Sequence, residues 1–158
     1  MILVTGAAGF IANNLAQRFL QRKESIICID NFNSYYDLNL KRSREERLKK
    51  VAKDLKIDSN KFIFKDIDLR DKESLRKLFQ DYKIEKVCHL AAQAGVRYSI
   101  QKPLTYVENN ITATINLLEN CKEFNVEDFI FASTSSVYGL SQEMPFTEST
   151  SIESPISV

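Results

Sequence analysis

The sequence has almost no excess of either charge: 22 basic against 21 acidic side chains leave a net +1 over 158 residues. That balance supplies no field to draw the protein onto DNA, RNA or an anionic membrane, so no nucleic-acid partner is expected. It also has no apolar run near the roughly 18 residues that span a bilayer, and no basic segment ahead of its first apolar run. The expectation is a soluble, cytoplasmic protein with no membrane partner. Histidine is nearly missing, His89 being the only one, and the three cysteines, Cys28, Cys88 and Cys121, form no C-x-x-C pair. An odd, widely spaced set argues against a disulfide framework and for reduced, buried thiols. With no cluster of Cys, His and carboxylate at ligand spacing, the usual zinc arrangements cannot be assembled, and no metal is expected. Repeats and low-complexity linkers are missing too, so nothing divides the chain and residues 1–158 read as one domain.

What is present is an ordinary globular balance of 44% hydrophobic and 27% charged residues. Short apolar runs alternate with longer amphipathic stretches. Ile2-Leu3-Val4 reads as a strand, and Phe10, Ile11, Leu15, Phe19 and Leu20 as a helical stripe. Further strands are expected over Ile26 to Ile29, Phe62 to Ile67, Val87 to Ala91 and Phe129 to Ala132. Asp71 can cap a helix carrying Leu75, Leu78 and Phe79, and Val107, Ile111, Ile115, Leu118 and Cys121 recur at helical steps. Strands apolar at successive positions, such as Ile26-Ile27-Cys28-Ile29, need cover on both faces. The fold expected is therefore α/β, a doubly wound parallel sheet of Rossmann type with helices on both faces. Residues 31–60 form a charged insertion in which Leu48, Val51 and Leu55 could seat a helix. Its basic residues, Arg42, Arg44, Arg47, Lys49, Lys50 and Lys53, are interrupted by Glu45, Glu46 and Asp54, which suits a solvated helix face better than a nucleic-acid arm.

Directly after the first strand, Thr5-Gly6-Ala7-Ala8-Gly9-Phe10-Ile11-Ala12 is a glycine-spaced turn opening a helix. There backbone N–H groups, including those of Phe10 and Ile11, and the helix dipole can hold a pyrophosphate. Gly6 permits the turn, Gly9 permits close phosphate approach, and Ala12 takes the third small position. Asp30 ends the second strand about 20 residues on, where its carboxylate can accept from adenosine ribose hydroxyls. The same charge would repel a 2′-phosphate, and no arginine follows closely to neutralise one, so NAD is favoured over NADP. The plainer alternative is that Asp30 merely ends a strand or caps a turn.

These residues resemble the extended short-chain dehydrogenase/reductase family, which includes the NAD-dependent nucleotide-sugar epimerases and dehydratases. Besides TGAAGFIA, the resemblance rests on Asp68-Leu69, the HLAAQAGV run from His89 to Val96, Asn109-Asn110-Ile111, and ASTSSVYG from Ala132 to Gly139. It implies that Asp30 and Asn31 face the adenosine, that Asp68 and Leu69 flank the adenine, that Leu90, Ala91 and Ala92 lie against the dinucleotide, and that Asn110 supports the cofactor side. The family's catalytic Ser/Thr matches Thr134. In dehydratases the next two positions are typically Asp and Glu; Ser135 and Ser136 have neither the charge nor the basicity to eliminate water, so the pattern looks like an epimerase. A closer resemblance is to UDP-glucuronate 4-epimerases, through DNFNSYYD from Asp30, GVRYS from Gly95 and YGLSQEMPF from Tyr138. It implies transient oxidation at C4 of a UDP-sugar and return of hydride to the opposite face. Arg97, Ser135 and Ser136 are candidate donors to a glucuronate carboxylate, Arg97 being equally readable as a solvated loop residue.

The family's Tyr-x-x-x-Lys base lies downstream of the threonine motif and has no match there: Tyr82 and Tyr98 have Lys86 and Lys102 four positions on, but both pairs precede Thr134, and Tyr138 has no such lysine. The ending Ser154 to Val158 resembles the segment just before that tyrosine. The resemblance thus implies a cofactor-binding half, truncated before the later strands and the substrate domain and inactive alone. An uncovered apolar face on the Val107 to Cys121 helix would favour a homodimer or a self-associating fragment. Alternatives are a non-catalytic NAD-binding module, or a fragment of a dehydratase or another sugar epimerase.

Overall fold

A strand that is apolar at successive positions can leave neither face in water, and this decides where each strand lies. In a computed structural model of the chain, which describes residues 1–141 and 144–152, β1 (Ile2–Thr5) forms the centre of a five-stranded sheet. On one side lie β2 (Ile26–Asp30), buried at every position, and β3 (Phe62–Asp66); on the other lie β4 (Lys86–His89) and β5 (Asp128–Phe131). All pairings are parallel and in step, Ile2 lying opposite both Ile26 and Lys86. Gln142 and Glu143 of the YGLSQEMPF stretch, and the ending Ser154 to Val158, lie outside the described residues.

Alternate strand residues feed two cores. Val4, Ile26 and Cys28 pack with Ala12, Ala16 and Leu20 of α1 (Phe10–Gln21) and with Leu48 and Ala52 of α2 (Leu38–Asp54). Leu3, Ile27, Ile29 and Val87 pack on the opposite face with Leu75, Leu78 and Phe79 of α3 (Lys72–Asp81). After β4 come α4 (Val96–Gln101), α5 (Pro103–Tyr106), a π-helical turn (Val107–Thr112) and α6 (Ala113–Glu123), whose Ala113, Leu117 and Cys121 complete that second core. This is the doubly wound α/β sheet that the alternation implies. Asp71 caps α3, accepting from the backbone N–H groups of Glu73 and Ser74, both at 3.2 Å.

Three local expectations are corrected. The fourth strand stops at His89 rather than Ala91, because the N–H groups of Leu90 and Ala91 turn inward to the Thr5 hydroxyl. The Val107 to Cys121 helix is a π-helical turn followed by α6, and its Val107, Ile111, Ile115 and Leu118 form the uncovered apolar face, Ile111 being 54% exposed, with only Cys121 of that set in the core. The helix is apolar on two sides, and Ala113, Leu117 and Cys121 take the inner one. On α2, Arg42, Arg47, Lys49, Lys50 and Lys53 are exposed, but Arg44 is half-buried and Lys41 buried, so the insertion is not solvated throughout.

Candidate functional site

The order β3-β2-β1-β4-β5 makes the chain leave β1 toward one face of the sheet and β4 toward the other. Where such connections diverge, beyond the carboxyl ends of the two strands, a crevice opens. The turn at its floor needs glycine. Gly6 has φ +68°, and a Cβ there would lie 2.9 Å from Ala91 Cα, so the two crevice walls touch through main chain alone. A Cβ on Gly9 would lie 2.8 Å from the Gly6 carbonyl oxygen.

The loop's own peptide groups are spoken for. Ala7 N–H donates to Ile29 O (3.0 Å), Gly9 N–H to Gly6 O (2.8 Å) and Ala8 N–H to Asp30 Oδ2 (3.1 Å). Ala7 O accepts from Asn13 Nδ2 (3.1 Å) and Ala8 O from Arg44 (3.0 Å), while Arg47 binds Asn13 Oδ1 through two nitrogens. The insertion helix thus braces the glycine loop from behind. The first helical bond of α1 is Asn13 N–H to Gly9 O, and no side chain caps the helix, so the Phe10, Ile11 and Ala12 amides form an anion-seeking N-terminus. The side chains of Phe10 and Ile11 are about 70% exposed, so their contribution there is through the backbone.

Asp30 is buried at the end of β2. Its carboxylate accepts from Ala8 and Phe32 N–H (3.1 and 2.9 Å) and pairs with buried Lys41 at 3.5 Å. Lys41 also donates to Asn33 Oδ1 (2.9 Å). Asn31 reaches across to Asp68 (3.1 Å), whose carboxyl is held down at about 2 by the Arg70 guanidinium bound to it. Gly6, Gly9, Asp30, Asn31, Asp68, Leu69, Leu90, Ala91 and Ala92 all line one cavity, joined by Tyr35, Tyr36, Lys41 and Gln93. Asn110 does not line it; its side chain clamps the Gln93 peptide from behind, accepting from Gln93 N–H (2.7 Å) and donating to Gln93 O (3.0 Å).

The remaining candidates lie elsewhere. Thr134 is exposed, and its hydroxyl accepts from Ser136 N–H at the start of a 3₁₀ turn (Ser135–Tyr138). Arg97 is exposed on α4, and Arg97, Thr134, Ser135 and Ser136 are not among the cavity's lining residues. The sequence reading missed Thr5, Lys41 and His89 as parts of the site. Thr5 opens the glycine motif and His89 the HLAA run, so both had a positional signal; Lys41 sits in a run of charge that reads as solvated. Burial holds the His89 ring down at about 4, hence neutral. Among the described residues no three His, Cys, Asp or Glu side chains form a metal-holding group, and no helix is long and apolar enough to cross a membrane.

A family model described as GDP-mannose 4,6 dehydratase matches residues 3–158. The chain belongs to that family. Among curated members, UDP-glucuronate 4-epimerase 4 of Arabidopsis thaliana is 44% identical over 158 residues, covering 99% of this chain and 34% of its own. The UDP-glucuronate 4-epimerase of Thermodesulfobacterium geofontis is 42% identical, covering 98% of this chain and 45% of its own. The chain therefore spans less than half the length of these relatives. Among solved structures, a UDP-glucuronic acid 4-epimerase variant from Bacillus cereus, in complex with UDP-4-deoxy-4-fluoro-glucuronic acid and NAD, superposes with a TM-score of 0.79 at 38% identity. It covers 97% of this chain and 46% of that one. A UDP-glucose-4-epimerase from Stenotrophomonas maltophila with bound NAD and formylated UDP-arabinopyranose has a TM-score of 0.81 at 28% identity, covering 96% of this chain and 42% of that one.

Proposed function

We propose that this chain is the cofactor-binding portion of an NAD-dependent nucleotide-sugar 4-epimerase of the cytoplasm, with UDP-glucuronate as the sugar nucleotide. The observation that carries the reading is the Gly6–Asp30 arrangement. A dinucleotide needs a main-chain cradle for its diphosphate and a fixed acceptor for its ribose diol, and these stand on adjacent strands of one crevice. The uncapped first turn of α1 would take the diphosphate. Ala8 and Phe32 use two of the roughly four lone-pair positions of the Asp30 carboxylate, which leaves acceptors for two vicinal hydroxyls. Asn31, Asp68 and Leu69 would border the adenine, and Leu90, Ala91 and Ala92 the middle of the dinucleotide.

NAD held by these residues would supply a reversible hydride acceptor for C4 of the sugar, the chemistry that inverts that centre. Thr134 would hydrogen-bond the hydroxyl being oxidised, and Arg97 with Ser135 and Ser136 would meet the carboxylate. A dehydratase reading has the family model's description in its favour, but Ser135 and Ser136 offer no acid or base for eliminating water. With no Tyr-x-x-x-Lys pair after Thr134 to take the sugar proton, residues 1–158 would bind cofactor without turnover. The solvent-facing Ile111, Ile115 and Leu118 provide a surface for self-association, most simply a homodimer.

Calorimetry of NAD binding, with NADP and Asp30→Ala as controls, tests the reading. NAD binding that exceeds NADP binding and disappears in the variant supports it; no NAD binding, or equal binding by the variant, refutes it.

A further inference from the structure

We infer that His89 is a positioning residue for the dinucleotide: a buried imidazole, locked in one tautomer, that fixes the Leu90–Gln93 wall of the crevice. The inference rests on the cofactor reading above, and it is carried by an accounting of hydrogens. The Thr5 hydroxyl, fully buried at the end of β1, accepts from the N–H groups of Leu90 (3.1 Å) and Ala91 (3.0 Å). Both its lone pairs are then used, and its single proton goes to its remaining neighbour, His89 Nδ1, at 2.8 Å. Nδ1 is therefore the acceptor nitrogen. The neutral ring carries its hydrogen on Nε2, which faces Thr114 Oγ1 at 2.9 Å. Thr114 in turn donates to the Asn110 carbonyl at 2.7 Å.

The run has one direction and ends on the residue whose side chain clamps the Gln93 peptide at both its N–H and its C=O. One ring thus ties β1, the loop after β4 and the helix behind it. The opposite tautomer would aim an Nδ1 hydrogen at a hydroxyl with no lone pair to give, and would leave the Thr5 proton without an acceptor. Two further features place this run at the site. The Ala91 main chain that Thr5 holds is the one lying against Gly6, so a shift there alters the crevice where the chain turns. Asn110 sits in the π-helical turn, a register change that recurs at functional sites. The flanks of the ring are the apolar faces of Phe129 and Phe131, at 6.0 and 5.6 Å between centroids.

The test uses the chain labelled with ¹⁵N-histidine and two variants. Long-range ¹H–¹⁵N correlation is expected to show a protonated Nε2 and an unprotonated Nδ1. His89→Leu, which removes both bonds but keeps an apolar filling, is expected to speed amide exchange at Leu90, Ala91 and Gln93 and to weaken NAD binding at least about tenfold. His89→Gln, with one acceptor and one donor, should recover slow exchange and affinity to within about threefold of the parent. A residue that only filled space would show the reverse order. An Nδ1–H tautomer, or a His89→Leu chain with unchanged exchange and NAD affinity, overturns the inference. If His89→Leu does not fold, Thr114→Val, which leaves the Nε2 hydrogen without its acceptor, takes its place with the same two outcomes. Should the parent chain not bind NAD, the cofactor reading fails, while the tautomer and the exchange rates still decide whether His89 fixes the loop.

Discussion

Gly6→Ala is the substitution whose consequences the geometry states most fully. At φ +68° an alanine occupies the left-handed region, which costs about 1–2 kcal/mol for a residue with a Cβ. The new methyl would also lie 2.9 Å from Ala91 Cα, 3.0 Å from Ala91 N and 3.2 Å from Leu90 C. All three are main-chain atoms held by Thr5, so no side chain can swing aside, and the collision adds about 1–3 kcal/mol of overpacking. Together the loss is about 2–5 kcal/mol. For a chain of this size that is a fall of roughly 5–20 °C in Tm. Urea unfolding followed by circular dichroism gives the number, and NAD calorimetry on the same sample reports whether the crevice still closes on its ligand. The decisive control is Gly6→Ala with Ala91→Gly. Because the struck atoms belong to the backbone of residues 90 and 91, removing the Ala91 side chain should restore nothing. A loss below about 0.5 kcal/mol, or recovery in the double variant, refutes the account of the crossing.

Three further outcomes follow from the charges and thiols. The folded-state pKa of His89, about 4, lies below the ordinary 6.5, so the unfolded chain takes up a proton first as pH falls. The ring's contribution is complete above about pH 6.5 and is lost toward pH 4, by at most about 3 kcal/mol, and urea midpoints across that window should fall less steeply for His89→Gln. Asp68, held at about 2 chiefly by Arg70, should titrate nearer the ordinary carboxylate value in Arg70→Met, read from its carboxyl ¹³C shift against pH; an unmoved titration would remove Arg70 as the cause. Burial raises the thiols of Cys28, Cys88 and Cys121, the last to about 11, so a disulfide reagent at pH 8 should label none of them quickly until urea unfolds the chain.

The strands and the cradle were legible because each depends on local chemistry. A run such as Ile26-Ile27-Cys28-Ile29 has only one way to hide both faces, and the spacing from Gly6 to Gly9 to Asp30 is set by one turn, one helix and one strand. What the sequence did not disclose depends on partners far along the chain. Lys41 reads as one more charge on a wet helix until Asp30 and Asn33 are seen beside it. The last two residues assigned to β4 were lost to a threonine 85 positions earlier. On α6 the pattern marked Ile115, Leu118 and Cys121 but not Ala113 or Leu117, whereas packing against α3 takes Ala113, Leu117 and Cys121 and leaves Ile115 and Leu118 outside.

The central place of β1 also has a consequence in time. On a ribosome its first neighbour, β2, follows within two dozen residues, but its second edge waits for β4, whose His89 comes 84 residues after Thr5. At roughly 5–20 residues per second that edge stays open for roughly 4–17 s of synthesis. During that interval Thr5 has no histidine to donate to and the glycine turn has no opposite wall. The nascent first half is then an open-edged sheet, exposed to strand pairing with other chains and to chaperone capture. The nucleotide crevice comes into being when the fourth strand closes over the first, a little past the midpoint of the 158 residues.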